Sequence, residues 1–204
     1  MSRALSVSDV LSMKKETLPF EGAWKDAFGE PEKTGVWLVW GRSGNGKTSF
    51  VLQLCKELCR WGHVIYDSLE EGDSLTMQNA FRRHGMLDVK GRLVLLDCEP
   101  MEGLSDRLSK RKSAEFVVID SFQYTQMNYR QYLKFKEAHR NKLLIFVSHA
   151  SGTMPAGRSA VSVMFDAGMK IWVEGYKAFS KGRYIGSKGV YTIWEERARM
   201  YWGT

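Results

Sequence analysis

One short stretch near residue 45 has the residue types and spacing of a phosphate-binding loop. It follows the pattern G-x-x-x-x-G-K-[ST], in which glycines let the backbone wrap closely around an anion. Amides at the start of the following helix would face the phosphates, helped by the positive end of the helix dipole. In this chemistry Lys47 reaches the β- and γ-phosphates and Thr48 holds Mg²⁺, so the stretch predicts a site for ATP and Mg²⁺. The predicted nucleotide-binding residues are Gly41, Arg42, Ser43, Gly44, Asn45, Gly46, Lys47, Thr48 and Ser49.

The segments on either side of this loop have the periodicity that such a loop requires. Val36–Trp40 is an apolar run typical of a buried strand, and residues 49–61 have helical spacing. The same alternation of strand and helix continues to residue 147, which predicts an α/β fold with a mostly parallel sheet and helices on both faces. Ligands of such sheets bind at the carboxyl ends of the strands. The further predicted strands are His63–Tyr66, Leu93–Leu96, Phe116–Ile119 and Leu143–Val147.

The chain changes character after His149. Residues 150–162 are small and include glycine, which predicts a mobile loop. Two later apolar runs, Met169–Val173 and Val190–Trp194, follow each other without an intervening helix. They predict a C-terminal antiparallel extension of the sheet.

Residues 1–34 form a polar lead-in, predicted to be an arm that packs on the core through Phe20 and Trp24. Within it, Ser8 is predicted to cap a short helix. No repeat, low-complexity segment or proline-rich linker divides the remaining sequence. Residues 35–204 are therefore predicted to form one domain.

Polar side chains that could bind a metal ion or take part in a reaction follow three of the predicted strands. Asp120 directly follows an apolar run, a position from which a carboxylate helps to hold Mg²⁺, although an ordinary strand-ending aspartate looks the same. Glu70 and Glu71 follow the second strand, where one carboxylate could polarise the water that attacks the γ-phosphate. A solvated acidic turn is the alternative for this pair. His149 ends the fifth strand, where it could respond to the γ-phosphate or serve only as a hydrogen-bonded strand end.

The composition is that of an ordinary globular protein with an excess of basic charge. Hydrophobic residues make up 44% and charged residues 26% of the 204-residue chain. The net charge of +7 indicates either a solvated basic surface or contact with further phosphate, as in a nucleic acid. The three cysteines lack the spacing of a zinc site or a disulfide framework. No apolar run reaches membrane-spanning length, so we expect a cytoplasmic protein without membrane contact.

The order of these motifs resembles the RecA-like P-loop ATPases, a group that includes the RecA and RadA recombinases, the DnaB-type replicative helicases and the KaiC-like proteins. The resemblance rests on the P-loop, Ser68-Leu69-Glu70 after the second strand, Asp120-Ser121 after the fourth, and Ser148-His149 after the fifth. It covers residues from about 35 to the C-terminus and is closest to the small single-domain members found in phages and mobile elements.

The resemblance implies roles for individual residues. Glu70 corresponds to the catalytic glutamate with Glu71 in reserve, and His149 to the residue that ends strand five. Residues 123–128 and 150–162 correspond to two DNA-binding loops, although both are poor in positive charge. Lys181 and Arg183 resemble the Lys-x-Arg segment that such ATPases insert into a neighbour's nucleotide site, although a surface basic hairpin is the alternative.

The function implied by the resemblance is ATP hydrolysis, with Mg²⁺, that drives DNA recombination, replication or helicase-related remodelling. A homo-oligomeric ring or filament is expected, with single-stranded DNA as a candidate partner. Two alternatives share the P-loop. One is a nucleotide-gated loader with little turnover, and the other is a small-molecule kinase, although the region after strand five lacks the arginine-rich lid typical of such kinases.

Overall fold

Within the described residues, the seven predicted strands and two that were not predicted form one mixed sheet. This computed structural model describes residues 4–203, and of residues 186–188 it describes only the backbone. The strands are β1 (Gly35–Gly41), β2 (Val64–Ser68), β3 (Leu93–Asp97), β4 (Phe116–Asp120), β5 (Leu143–Ser151), β6 (Met154–Pro155), β7 (Met169–Glu174), β8 (Lys177–Gly182) and β9 (Gly186–Thr192). The helices are α1 (Val7–Ser12), α2 (Gly22–Phe28), α3 (Lys47–Leu58), α4 (Leu75–Arg83), α5 (Met101–Leu108), α6 (Tyr129–Ala138), α7 (Arg158–Asp166) and α8 (Glu195–Trp202).

The strand order brings the predicted polar positions to one edge of the sheet. The order is β3-β2-β4-β5-β1-β7-β8-β9, in which the strands from β3 to β7 are parallel and β8 and β9 are antiparallel. In register, Gly41 pairs with His149, and Ser68 pairs with Asp120. The mostly parallel sheet with a C-terminal antiparallel extension is therefore confirmed.

Apolar side chains fill both faces of the sheet. Successive residues of a strand point to opposite faces, so β1 divides its side chains between two cores. Trp37 and Val39 pack on the face covered by α3, together with Phe50. Leu38 and Trp40 pack on the opposite face, which α5, α6 and α7 cover. The expected helices on both faces are confirmed, and the sheet is a rigid base for the loops at its edge.

The segment expected to be a mobile loop, residues 150–162, is ordered. Strand β5 continues to Ser151, the short strand β6 folds back onto it, and α7 begins at Arg158. The helical signal is weak because the buried residues of α7 that start it, Ala160 and Val163, are small and stand among serines and glycines. This part of the prediction was wrong.

The expected connection between the last two strands contains a third strand, β8. Its inward residues are the small Ala178 and Ser180, which give little apolar alternation. They are small because α2 packs closely there, and the Ser180 hydroxyl donates a hydrogen bond to the carbonyl of Ala27. The last helix, α8, was also not predicted. None of the helices within residues 4–203 has the length and apolarity that crossing a bilayer would need.

The lead-in segment meets the core through its second half. Phe20 and Phe28 are buried in the core on the α3 face, and the Trp24 ring stacks on Tyr191 with 4.3 Å between centroids. Helix α1 is capped by Ser6, whose hydroxyl accepts a hydrogen bond from the Asp9 amide, and not by Ser8 as predicted. Residues 1–3 of the predicted arm, and Thr204 of the predicted domain, lie outside the described residues.

A buried carboxyl on β2 predicts an unusual dependence of stability on pH. Burial raises the pKa of Asp67 to about 7, although the Glu99 amide donates to its Oδ1 and opposes the shift. Its Oδ2 has no hydrogen-bond partner among the described residues. The unfolded pKa is about 3.9, so the folded state binds the proton more tightly, and stability falls as pH rises from about 4 to about 7.

We therefore expect Asp67→Asn to raise the free energy of unfolding at pH 8 and to have little effect at pH 4. The gain at pH 8 is at most about 4 kcal/mol, because a one-unit pKa shift corresponds to about 1.4 kcal/mol. Urea unfolding at the two pH values measures it, with exposed Asp73→Asn as the control. If the difference in unfolding free energy between Asp67→Asn and the wild type is the same at both pH values, the expectation is contradicted.

Candidate active site

The glycine-rich loop presents the open start of a helix. Gly46 caps α3 with a φ of 96°, a conformation that favours glycine, and no side chain caps this helix. The first amides of α3 are therefore available to an anion. Gly41 lies so close to β7 that an added Cβ would be 2.2 Å from the carbonyl oxygen of Val173. A larger residue there would push the loop away from β7.

A cavity of about 330 Å³ lies directly over this loop. Of the predicted binding residues, Ser43, Gly44, Gly46, Lys47, Thr48 and Ser49 line it. The predicted acids Glu70, Glu71 and Asp120 and the predicted histidine His149 line the same cavity. Gly41, Arg42 and Asn45 lie beside it instead, where they shape and anchor the loop. The structure thus brings together residues that are far apart in the chain.

Lys47 lies between the loop and the acids. Its ammonium donates a hydrogen bond to the carbonyl of Arg42 at 3.2 Å. Burial lowers the pKa of Lys47, while the nearby charges of Asp120 and Glu70 oppose that shift. A half-buried ammonium next to two acids and the first amides of a helix is suited to binding a polyanion together with a bound metal ion.

The oxygen groups around Asp120 fit a magnesium ion. Burial raises the pKa of Asp120 to about 6, while the hydroxyl of Tyr66, which donates to its Oδ2, and the charge of Lys47 lower it. Thr48 lines the same cavity, and next to Asp120 the buried Ser121 hydroxyl has no partner among the described residues. Mg²⁺ prefers such oxygen ligands and usually takes one or two carboxylates together with substrate phosphates. In residues 4–203 no cluster of three or more acidic, histidine or cysteine side chains forms a closed protein cage for a metal.

Two contacts distinguish the adjacent acids Glu70 and Glu71. Glu70 Oε2 lies 3.1 Å from Nε2 of His149. Glu71 Oε2 accepts a hydrogen bond of 2.8 Å from the hydroxyl of Thr76 at the start of α4. The Glu70 amide also donates to the carbonyl of Asp120, which fixes its backbone to the end of β4. The carboxylate of Glu70 is therefore directed toward His149, and that of Glu71 toward α4.

The side chain of Gln123 connects His149 to the segment that precedes α7. The side-chain oxygen of Gln123 accepts from the His149 amide at 3.2 Å. Its side-chain nitrogen donates to the Ser148 hydroxyl at 2.8 Å and to the carbonyl of Ala156 at 2.9 Å. A displacement of the end of β5 would therefore be transmitted to the segment that leads into α7.

Aromatic side chains also line the cavity, and this part of the site was not predicted. They are Tyr176 and Trp194, and the cavity is lined as well by Arg197 and by Arg83 of α4. The rings of Tyr176 and Trp194 meet edge to face with 6.1 Å between centroids, and the Arg197 guanidinium lies 5.1 Å from the centre of the Trp194 ring. An added Cβ on Gly46 would lie 3.1 Å from the Tyr176 ring, so this aromatic group is in contact with the loop.

The backbone that carries Tyr176 is held in an uncommon conformation. Tyr176 has a φ of 59° in the two-residue turn between β7 and β8, a position that favours glycine or asparagine. Asn45 holds the turn, because its side-chain oxygen accepts from the Gly175 amide at 2.9 Å and its carbonyl accepts from the Tyr176 amide at 3.2 Å. The indole of Trp202 also donates to the Gly175 carbonyl. A strained bulky residue that is held this firmly next to a cavity suggests a function.

Lys181 and Arg183 do not reach this cavity. They lie with Lys170 in a separate depression between α7 and the β7–β8 hairpin. On β8, Lys181 pairs with Lys170 of β7. Lys170 is three residues along β7 from Val173, which pairs with Gly41 at the start of the loop. This corresponds to about 10 Å along the strand. Within one chain, Lys181 and Arg183 are thus separate from the residues that line the cavity over the loop.

The comparisons with known proteins identify the fold. No protein-family profile and no curated protein sequence matches this chain. Among solved structures, it is similar to a KaiC-like protein of the hyperthermophilic archaeon Pyrococcus horikoshii, with a TM-score of 0.59 and 17% identity over 87% of this chain and 98% of that one. The flagellar accessory protein FlaH of Methanocaldococcus jannaschii gives a TM-score of 0.60 and 14% identity over 87% and 94% of the two chains.

A third similar structure is the ATPase domain of another protein, with a TM-score of 0.57 and 15% identity over 78% of this chain and 80% of that one. Identities this low show a shared fold and no more. The strand order, the glycine-rich loop at the start of α3 and these three similarities agree with one another. The chain has the RecA-like P-loop fold.

Proposed function

We propose that this protein binds ATP with Mg²⁺ and hydrolyses it. The observation that carries the proposal is the cavity in which the loop residues Lys47 and Thr48 meet the acids Glu70 and Asp120. Binding requires the first pair, and hydrolysis requires an acid that the loop itself does not supply. One of the similar structures is named as an ATPase domain, which supports the same reaction.

The binding roles follow from the geometry of the loop. Lys47 and the first amides of α3 bind phosphate oxygens, and Thr48 and Asp120 hold Mg²⁺ through their oxygens. Mg²⁺, when bound, neutralises charge on the phosphates during phosphoryl transfer. The hydroxyl of Tyr66 donates to Asp120 and so holds its carboxylate in place.

Glu70 is proposed to orient the attacking water. Its carboxylate would accept a hydrogen bond from that water and take up its proton, while Nε2 of His149 at 3.1 Å holds the carboxylate in position. Glu71 is the weaker candidate because Thr76 already donates to it. In this proposal His149 also reports the state of the γ-phosphate through Gln123 to the segment before α7.

The aromatic group of the cavity is proposed to hold the nucleobase. A base can stack on the rings of Tyr176 and Trp194, and Arg197 can stack on the base or bind its acceptor atoms. The Tyr176 ring contacts the loop at Gly46, and the charge of Glu70 acts on Lys47, so a nucleotide would extend from the aromatic residues, over the loop, to Glu70. A purine offers the larger stacking surface.

We further propose that the protein acts as a homo-oligomeric ring or filament. Lys181 and Arg183 lie outside their own cavity, so any role in hydrolysis requires that they enter the cavity of a neighbouring copy. The work is proposed to be done on DNA, with single-stranded DNA as the partner. The net charge of +7 supports this choice.

Phosphate release from ATP, measured with and without single-stranded DNA, tests the proposed function. We expect Mg²⁺-dependent release that single-stranded DNA increases. ATP-dependent assembly with negligible release in both conditions would instead indicate a nucleotide-gated loader. Release that DNA does not change would remove the DNA role and leave the ATPase.

A further inference from the structure

An exposed phenylalanine lies beside the two cations that are proposed to act in a neighbouring copy. Phe165, the penultimate residue of α7, is 71% exposed. It borders the depression that contains Lys170, Lys181 and Arg183. The floor of this depression is aromatic, with the rings of Trp172 and Phe179 5.6 Å apart. The surface thus combines a projecting apolar ring with a group of cations.

The three cations of this surface repel one another. Lys170 and Lys181 stand directly opposite each other on β7 and β8, an arrangement that is unfavourable for like charges. Burial lowers the pKa of Lys170, and the charges of Arg183 and Lys181 lower it further, while the charge of Asp166 opposes the shift in part. Among the described residues none of the three forms an ion pair, and the nearby Asp166 is paired with Lys136. An acidic partner would relieve this repulsion.

A groove with the complementary character lies between α5 and α6. It has a volume of about 540 Å³, and its apolar lining includes Leu69, Met101 and Met127. Methionine side chains adapt readily to an inserted ring. Glu102 and Asp106 stand on its rim, one turn apart on α5, and neither forms an ion pair within the described part of the chain. Like charges at this spacing repel each other, so a cationic partner would stabilise them.

The chain cannot fill its own groove with Phe165, because α6 stands between them. On one side of α6, Tyr132 and Lys136 contact Asp166, the residue next to Phe165. The opposite side of α6 lines the groove through Gln131 and Lys134, among others. A ring from another copy could enter the groove.

We propose that Phe165 of one copy inserts into the groove between α5 and α6 of a second copy, with Lys170 beside Phe165 facing Glu102 and Asp106. This inference deepens the proposed oligomer and rests on it. The two surfaces are different, so the contact is head to tail and repeats into a ring or a filament. Leu69 lines the groove and is followed by Glu70 in the cavity, so a seated neighbour brings its Lys181 and Arg183 toward that cavity.

A mixing experiment tests this contact. Phe165→Ala removes the projecting ring, and the double variant Glu102→Lys with Asp106→Lys reverses the charge of the groove. All three positions are exposed, so we expect both proteins to fold. Leu87→Ala, which truncates a similarly exposed apolar residue elsewhere, is the matched control. Sedimentation velocity is measured over a range of protein concentrations, with and without ATP and Mg²⁺.

We expect the wild type and Leu87→Ala to assemble, and each interface variant to lose roughly tenfold or more in self-association affinity. Mixed together, the two variants should form a one-to-one dimer and nothing larger, because only one intact pair of surfaces remains. The inference is overturned if Phe165→Ala assembles like the wild type, if the mixture stays monomeric, or if the wild type itself does not assemble. ATP binding, measured separately on the same proteins, shows whether the proposed nucleotide function fails independently of assembly.

Discussion

Replacing Glu70 with glutamine is expected to leave ATP binding intact and to slow ATP hydrolysis by about 10²–10⁴-fold. Glutamine keeps the size of the side chain, but it cannot take up a proton from the attacking water. The phosphate-binding groups on the loop and α3 are unchanged, so affinity should remain near that of the wild type. Phosphate release in a single turnover, together with calorimetric ATP binding, separates the two effects.

The adjacent acid offers a matched control for this variant. Glu71→Gln removes a carboxylate one residue away, whose Oε2 already accepts from the Thr76 hydroxyl. We expect Glu71→Gln to hydrolyse ATP within a few-fold of the wild type. Normal turnover in Glu70→Gln, with loss in Glu71→Gln, would transfer the water-orienting role to Glu71.

Replacing Lys47 with alanine is expected to weaken ATP binding by about 10- to 100-fold. Hydrogen bonds to a charged group contribute about 1.5–3 kcal/mol, and each 1.4 kcal/mol corresponds to a factor of ten in affinity. The charge of Lys47 also interacts with those of Asp120 and Glu70, so its loss leaves two acids facing the phosphates without this cation. Equilibrium titration with a fluorescent ATP analogue in the presence of Mg²⁺ measures the loss.

Lys56 provides the control for this second variant. It stands on the same helix, but its ammonium pairs with Asp88 at 2.6 Å, away from the cavity. Lys56→Ala should bind ATP as the wild type does. Equal affinities for all three proteins would show that the phosphates are not held at the start of α3.

The central part of the fold could be predicted because its residues are strongly patterned. Runs such as Val36–Trp40 and Leu143–Val147 are buried on both faces, so every residue in them is apolar and the strand is evident. The C-terminal antiparallel extension of the sheet was only partly predicted. In β8 the inward residues Ala178 and Ser180 are small because α2 packs against them, and that contact has no signature in the local sequence.

The candidate site shows the same division between local and long-range information. The loop is contiguous, and Glu70, Asp120 and His149 each follow an apolar run, so their common edge could be inferred from the strand order of parallel sheets. Tyr176, Trp194 and Arg197 reach the cavity through a turn held by Asn45 and through the C-terminal helix. No motif marks those residues, because what brings them to the cavity is tertiary contact.

The central claim is that the loop holds a triphosphate between the acids of the cavity and its aromatic group. A crystal structure of the wild type with Mg²⁺ and a non-hydrolysable ATP analogue tests it most directly. We predict that the phosphates contact Lys47 and the first amides of α3, with the γ-phosphate nearest Glu70 and the base against Tyr176 and Trp194. A cavity that stays empty at saturating analogue, or phosphates bound elsewhere on the chain, would contradict the claim.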